Sequence, residues 1–157
     1  MTKVALSGAS GNMGRMLRVE LQKLGVDLRS AGGRTPLVPL RDGEDVMHGD
    51  LRDPATVDRL LQGVDVLIHL AGTSVEKPLP EIIENNLVAL HQVYEGARRN
   101  KVRRIVFASS NHVTGFYRQD EVVSPRDPVR PDGLYGSSKA FGENLAAGTS
   151  GALDDRT

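Results

Sequence analysis

Three parts of this sequence carry residue types that do chemistry together: Gly8-x-x-Gly11-x-x-Gly14 near the start, Ser110 further on, and Tyr135-Gly-Ser-Ser-Lys139 late in the chain. A helix opening at Tyr135 puts Lys139 on the same face, one turn along. An ammonium beside a phenol favours the phenolate, and a tyrosine so placed becomes a usable acid or base. A serine hydroxyl from a separate strand end can hold the oxygen being oxidised or reduced. Glycines between a strand and a helix let the backbone approach a pyrophosphate, which the free N–H groups of the helix start then bind. A lone YxxxK pattern is weak. Its order behind a glycine loop gives it meaning.

Strands and helices must alternate to bring such groups into position, and the hydrophobic pattern predicts that they do. Strands are expected at Val4–Leu6, Val26–Ser30, Asp45–Gly49, Val64–Leu70 and Arg104–Ala108. Helices are expected at Met13–Leu24, from Asp53-Pro54 with proline as the first helical residue, at Pro80–Arg99, and from about Leu134 to Ala147. Ala31 to Gly43 and Gly115–Gly133, rich in Gly or Pro, read as loops. Val64–Leu70 is mostly apolar, with Val66–Ile68 an unbroken apolar run, as in a strand covered on both faces. Repeated strand–helix units imply an α/β fold with a Rossmann-type, doubly wound parallel sheet. No repeat or internal boundary is visible. Residues 1–147 read as one dinucleotide-binding domain ending in the Tyr135 helix, and 148–157, small and polar, as a disordered tail.

Composition narrows the partners. The 157 residues suffice for one domain with a real core. Lysine plus arginine balance aspartate plus glutamate at 20 each, which gives no reason to expect a nucleic-acid or acidic-membrane partner. There is no cysteine, so neither disulfides nor a thiolate site can contribute. No apolar run reaches the roughly 18 residues of a membrane span, and the start lacks a signal-peptide core, so a cytoplasmic protein is expected. His48, His69 and His91 show no metal-ligand spacing, and no metal is expected. His69, inside an apolar strand, reads as a packed core histidine. The run Arg98, Arg99, Lys101, Arg103, Arg104 reads as the solvated cap of a helix C-terminus.

The glycine spacing, Gly49-Asp50-Leu51, Leu70-Ala71-Gly72, Asn86 and Tyr135-x-x-x-Lys139 together resemble the extended short-chain dehydrogenase/reductases of the NAD-dependent epimerase/dehydratase group. The resemblance runs from about Val4 to Ala147. Three longer segments, Gly72 to Pro78, Phe107 to Gly115 and Arg130 to Leu145, are similar to the uronate dehydrogenases of that group. These oxidise the C1 hydroxyl of galacturonate or glucuronate to an aldarolactone. The resemblance implies that Tyr135 accepts the proton, that Lys139 assists it and holds the nicotinamide ribose, and that Ser110 binds the reacting hydroxyl. Asn111, His112 and Ser74 would line the sugar pocket. Asn12 and Met13 would meet the pyrophosphate with Gly8, Gly11 and Gly14. Asp50 and Leu51 would lie by the adenine, and Leu70, Ala71 and Gly72 beneath the cofactor. Asn86 would help hold the active-site backbone. It further implies a small-molecule sugar acid as substrate and a homodimer. A sugar-nucleotide epimerase or dehydratase shares the same triad, and a non-catalytic dinucleotide-binding fragment remains a third reading.

Two features depart from that pattern. NAD-binding members place an acidic residue just after the second strand; here Gly32 stands there, followed by Gly33 and Arg34, which leans towards a tolerated 2′-phosphate and leaves NAD or NADP open. Asp27 is near the expected distance from Gly8 but early in its strand. The family also continues past the Tyr135 helix with further strands and a C-terminal substrate domain. The chain therefore reads as truncated before that domain, with an apolar sheet edge exposed beside the fifth strand. Ser109 competes with Ser110, and the spacing to Tyr135 favours Ser110.

Overall fold

The computed structural model describes residues 1–33 and 35–154, and for 148–154 the backbone alone. The chain forms two compact units, 1–72 with 89–108, and 73–88 with 109–157. The sequence shows no such division, because the chain passes from one unit to the other three times without a linker of altered composition.

The first unit is a five-stranded parallel sheet in the order β3-β2-β1-β4-β5. Its strands are β1 (Lys3–Ser7), β2 (Asp27–Gly32), β3 (Asp45–His48), β4 (Val66–His69) and β5 (Arg104–Phe107), with α1 (Asn12–Lys23), α2 (Pro54–Leu61) and α4 (Ala89–Arg99). Side chains alternate across a strand, and β1 shows the consequence. Ala5 joins Val57, Leu60 and Leu61 of α2 and Val93 and Ala97 of α4 in one core. Val4 and Leu6 join Leu28 and, from α1, Leu17 and Leu21 in another. Apolar cores on both faces explain the unbroken apolar run Val66–Ile68 in β4. Asp53 caps α2, its carboxylate accepting the N–H groups of Ala55 and Thr56, with Pro54 opening the helix as the sequence predicts. His69 is buried as expected, sharing a 2.7 Å hydrogen bond between its Nδ1 and Ser7 Oγ and stacking on Phe107. β5 is an outer strand, and its Val106 is exposed.

The second unit holds α3 (Leu79–Ile82), a π-helical turn Ile83–Val88, a 3₁₀ turn Asn111–Thr114 and α5 (Leu134–Asp154). The sequence ends α5 at Ala147 and expects a structureless tail; the helix runs on to Asp154, with no proline to stop it, and 155–157 lie outside the described residues. No helix among the described residues is long and apolar enough to cross a membrane.

The loop expected over Ala31 to Gly43 begins two residues later, since Ala31 and Gly32 complete β2. What fixes that loop is a buried ion pair absent from any local pattern. Arg18 on α1 makes a bidentate contact with Glu44, Nε to Oε1 at 2.8 Å and Nη2 to Oε2 at 2.9 Å, and also donates to the Val38 carbonyl. Ser30 Oγ, Gln22 Nε2 and the Leu40 N–H complete the shell around the same carboxylate. Burial alone pushes the Glu44 carboxyl up, but the Arg18, Leu40 and Ser30 donors outweigh it, and its pKa lies below the ordinary glutamate value. Removing one partner strands a buried charge. Arg18→Met is therefore expected to cost about 3–5 kcal/mol in urea unfolding. Because the folded pKa of Glu44 is depressed, its stabilisation is complete above the ordinary glutamate pKa and is lost as pH falls through the folded value. The Glu44→Gln variant should accordingly show a flatter acid limb of stability than the parent.

Candidate active site

In the first unit, the turn from β1 into α1 leaves no room for side chains at two points. A Cβ on Gly8, whose φ is +73°, would lie 2.7 Å from the Ala71 nitrogen, and one on Gly14 would lie 2.7 Å from Ala9 Cα and closer still to the Gly8 carbonyl oxygen. The backbone is stitched here by Gly11 N–H to the Gly8 carbonyl (3.1 Å), Ala9 N–H to the Ala31 carbonyl (3.0 Å) and Leu70 N–H to the Ser7 carbonyl (3.2 Å). Gly11 caps α1 with no side-chain hydrogen bond, and the first turn of the helix carries no acidic residue. The N–H groups of exposed Asn12 and Met13 and the positive end of the helix dipole beside Gly11 are thus open to an anion. That chemistry fits a dinucleotide pyrophosphate. Ala71 and Gly72 follow β4 directly beside this turn, Gly72 with a φ of +132°.

Asp50 and Leu51 stand in the same unit but are already engaged. Asp50 pairs with Arg52 at 2.5 Å, and the guanidinium holds its carboxyl below the usual carboxylate range. Leu51 packs against the core beneath α2 and α4. Asp27 opens β2, paired with Lys3, at the far end of the strand from the glycine turn. Arg34 lies outside the described residues.

In the second unit, Tyr135 is the second residue of α5 and is buried with Lys139. Lys139 Nζ lies 5.8 Å from the centre of the Tyr135 ring, and burial pulls its ammonium below the ordinary lysine pKa. The edge of the His112 ring meets Tyr135 with centroids 5.6 Å apart. His112 Nδ1 donates to Asp132, 2.9 Å from both carboxylate oxygens. Ser110 caps the 3₁₀ turn, its Oγ accepting the His112 N–H at 3.2 Å and donating to Asn111 Oδ1. Contacts thus run from Ser110 through His112 to Tyr135 and Lys139. Ser109, the competing serine, gives its hydroxyl to Glu143 on α5. Ser74 is exposed in the segment before α3.

Three positioning groups hold this arrangement. Asn86, presented by the π-helical turn and buried, accepts the Thr73 N–H at 2.7 Å and donates to the Thr73 carbonyl and to Ser138 Oγ on α5. Its expected role in holding backbone has this concrete form. Glu76 and Asp132 carry no role in the sequence reading. Glu76 accepts the N–H groups of Leu134 and Tyr135 at 3.0 and 2.9 Å, supplying the acceptor that the start of α5 needs. It acts across 58 residues of sequence, where no local capping pattern can be read. Among the described residues there is no cluster of three or more His, Asp or Glu side chains able to hold a metal.

The family model for the NAD dependent epimerase/dehydratase family matches residues 4–152, and the chain belongs to that family. It is 45% identical over 146 residues to the uronate dehydrogenase of Agrobacterium fabrum, covering 93% of this chain and 55% of the relative. It is 42% identical over 145 residues to that of Pseudomonas syringae, covering 92% and 53%. Among solved structures, uronate dehydrogenase from Agrobacterium tumefaciens matches with a TM-score of 0.87 at 45% identity, over 93% of this chain and 55% of that one. A mutant of that enzyme complexed with NAD matches at 0.88 and 44% identity, with the same coverage. The chain spans about half the length of these relatives.

Gly14→Ala should abolish dinucleotide binding in calorimetry, because the added methyl meets fixed backbone. Gly25→Ala, at a positive φ with nothing within 4 Å, should retain binding and lose only about 1–2 kcal/mol of stability to backbone strain. Glu76→Ala should destabilise the chain by about 1 kcal/mol, the usual scale of a lost helix cap.

Proposed function

We propose that this chain carries the cofactor cradle and acid–base group of an NAD-dependent uronate dehydrogenase, which oxidises C1 of galacturonate or glucuronate to an aldarolactone. The observation that carries the reading is the buried Tyr135–Lys139 pair on α5, in a chain 45% identical to a uronate dehydrogenase. Gly8, Gly11, Asn12, Met13 and Gly14 would hold the pyrophosphate, and Leu70, Ala71 and Gly72 would form the floor beneath the cofactor. Asp50 and Leu51 would flank the adenine. The bound nicotinamide supplies the hydride acceptor.

The chain's own residues do the rest. Ser110 Oγ, held at the N-cap of the 3₁₀ turn, would orient the reacting hydroxyl. Tyr135 Oη would take the hydroxyl proton. Desolvation by burial pulls the Lys139 ammonium below the ordinary lysine value. Asn111, His112 and Ser74 would contact the sugar, with Asp132 holding the His112 ring through Nδ1. The homodimer and a cytoplasmic location, where free dinucleotide is available, belong to the same reading.

Added to the chain with NAD⁺, galacturonate or glucuronate should give net absorbance of reduced nicotinamide. Tyr135→Phe should slow that formation by about 10²–10⁴-fold, the usual worth of a positioned acid–base group. An epimerase returns its hydride and gives no net reduction. A cofactor-dependent rise in melting temperature without turnover on any sugar would favour a dinucleotide-binding unit that lacks catalysis.

A further inference from the structure

In dinucleotide-binding folds a carboxylate at the C-terminal end of the second strand accepts hydrogen bonds from the adenosine ribose and repels a 2′-phosphate. Here that end is Gly32, followed by Gly33, and the sequence has no aspartate or glutamate between Asp27 and Asp42. Position 32 is also filled from the side. A Cβ there would lie 2.9 Å from Leu37 Cγ and 3.0 Å from the Thr35 carbonyl oxygen. Leu37 is itself buried in the core under α1, with its N–H donated to His48 Nε2. Position 33 is different: a Cβ there meets nothing within 4 Å.

The carboxylates that could stand in are held elsewhere. Asp27 is at the other end of β2, about 16 Å away at 3.3 Å per residue, paired with Lys3. Arg41 reaches the carbonyls of Gln22 and Val26, which puts the turn containing Asp42 at that same far end. Glu44 is enclosed by Arg18, Gln22, Ser30 and the Leu40 N–H. Asp45 is paired with Arg29. Asp50 is paired with Arg52.

We infer that the Gly32–Gly33 strand end admits a 2′-phosphate, so that the chain binds NADP⁺ about as well as NAD⁺. The buried Arg18–Glu44 pair contributes by drawing the nearest glutamate into the interior, away from the ribose. The inference rests on the reading that the first unit binds a nicotinamide dinucleotide.

Calorimetric titration of the purified chain with NAD⁺, NADP⁺ and adenosine 2′,5′-bisphosphate tests it. NADP⁺ should bind within about tenfold of NAD⁺, and the bisphosphate should compete with both, because no like charge opposes the phosphate. Gly33→Asp places a carboxylate in open space and should leave the melting temperature unchanged. It should weaken NADP⁺ by at least about tenfold while keeping NAD⁺ binding. If the parent binds NAD⁺ but NADP⁺ at least about a hundredfold more weakly, the inference fails and the functional reading stands. It also fails if Gly33→Asp leaves the ratio of the two affinities unchanged. Binding of neither dinucleotide would overturn both.

Discussion

Everything in the first unit turns on one crowded place, where β1 ends and α1 begins. Gly8, Gly14 and the Leu70–Ala71 backbone approach so closely that a single methyl on either glycine would meet main-chain atoms. Because main chain cannot move aside as a side-chain tip can, the position of α1 relative to β1 and β4 is fixed there. The same closeness leaves the start of α1 without a side-chain cap. A helix end so exposed has unmet N–H donors, and an anion would satisfy them. Packing and ligand chemistry are two consequences of one steric fact.

The second unit solves a different problem, which is to hold a tyrosine and a lysine on the first turns of one helix with both side chains buried. Burying a lysine is costly, and the ordering comes from polar ties rather than apolar area. Glu76 takes the two leading N–H groups of α5, Asn86 reaches Ser138, and Ser109 reaches Glu143. Each tie joins α5 to a segment distant in sequence. The π-helical turn serves the same end, since its widened backbone is where Asn86 leaves the Ile83–Val88 stretch. Such turns concentrate at functional sites.

Much of this was legible in the sequence, and the reason is that the informative signals were local. Pro54 behind Asp53 marks a helix start because both residues act within one turn. The glycine spacing marks the β1–α1 turn because close approach demands the smallest residue at fixed positions. Tyr135 and Lys139 share a helix face by the helical period alone. What stayed hidden depends on residues far apart: Arg18 with Glu44, Glu76 with the start of α5, Asp132 with His112. Each is an ordinary charged residue in sequence, and only the fold shows that one is enclosed and another caps a helix. The division into two units was hidden for the same reason, since it follows contacts and not chain order. The end of α5 was misplaced because the residues after Ala147 are small and polar, whereas the helix runs on to Asp154.

The most direct test of the first unit as a pyrophosphate cradle is an amide NMR titration of the ¹⁵N-labelled chain with NAD⁺. The signals of Gly11, Asn12, Met13 and Gly14 should shift together and saturate at one affinity, while those of Lys23 and Gly25 at the other end of α1 stay in place. Saturable binding whose shifts fall away from the start of α1, or no binding at all, would contradict the account.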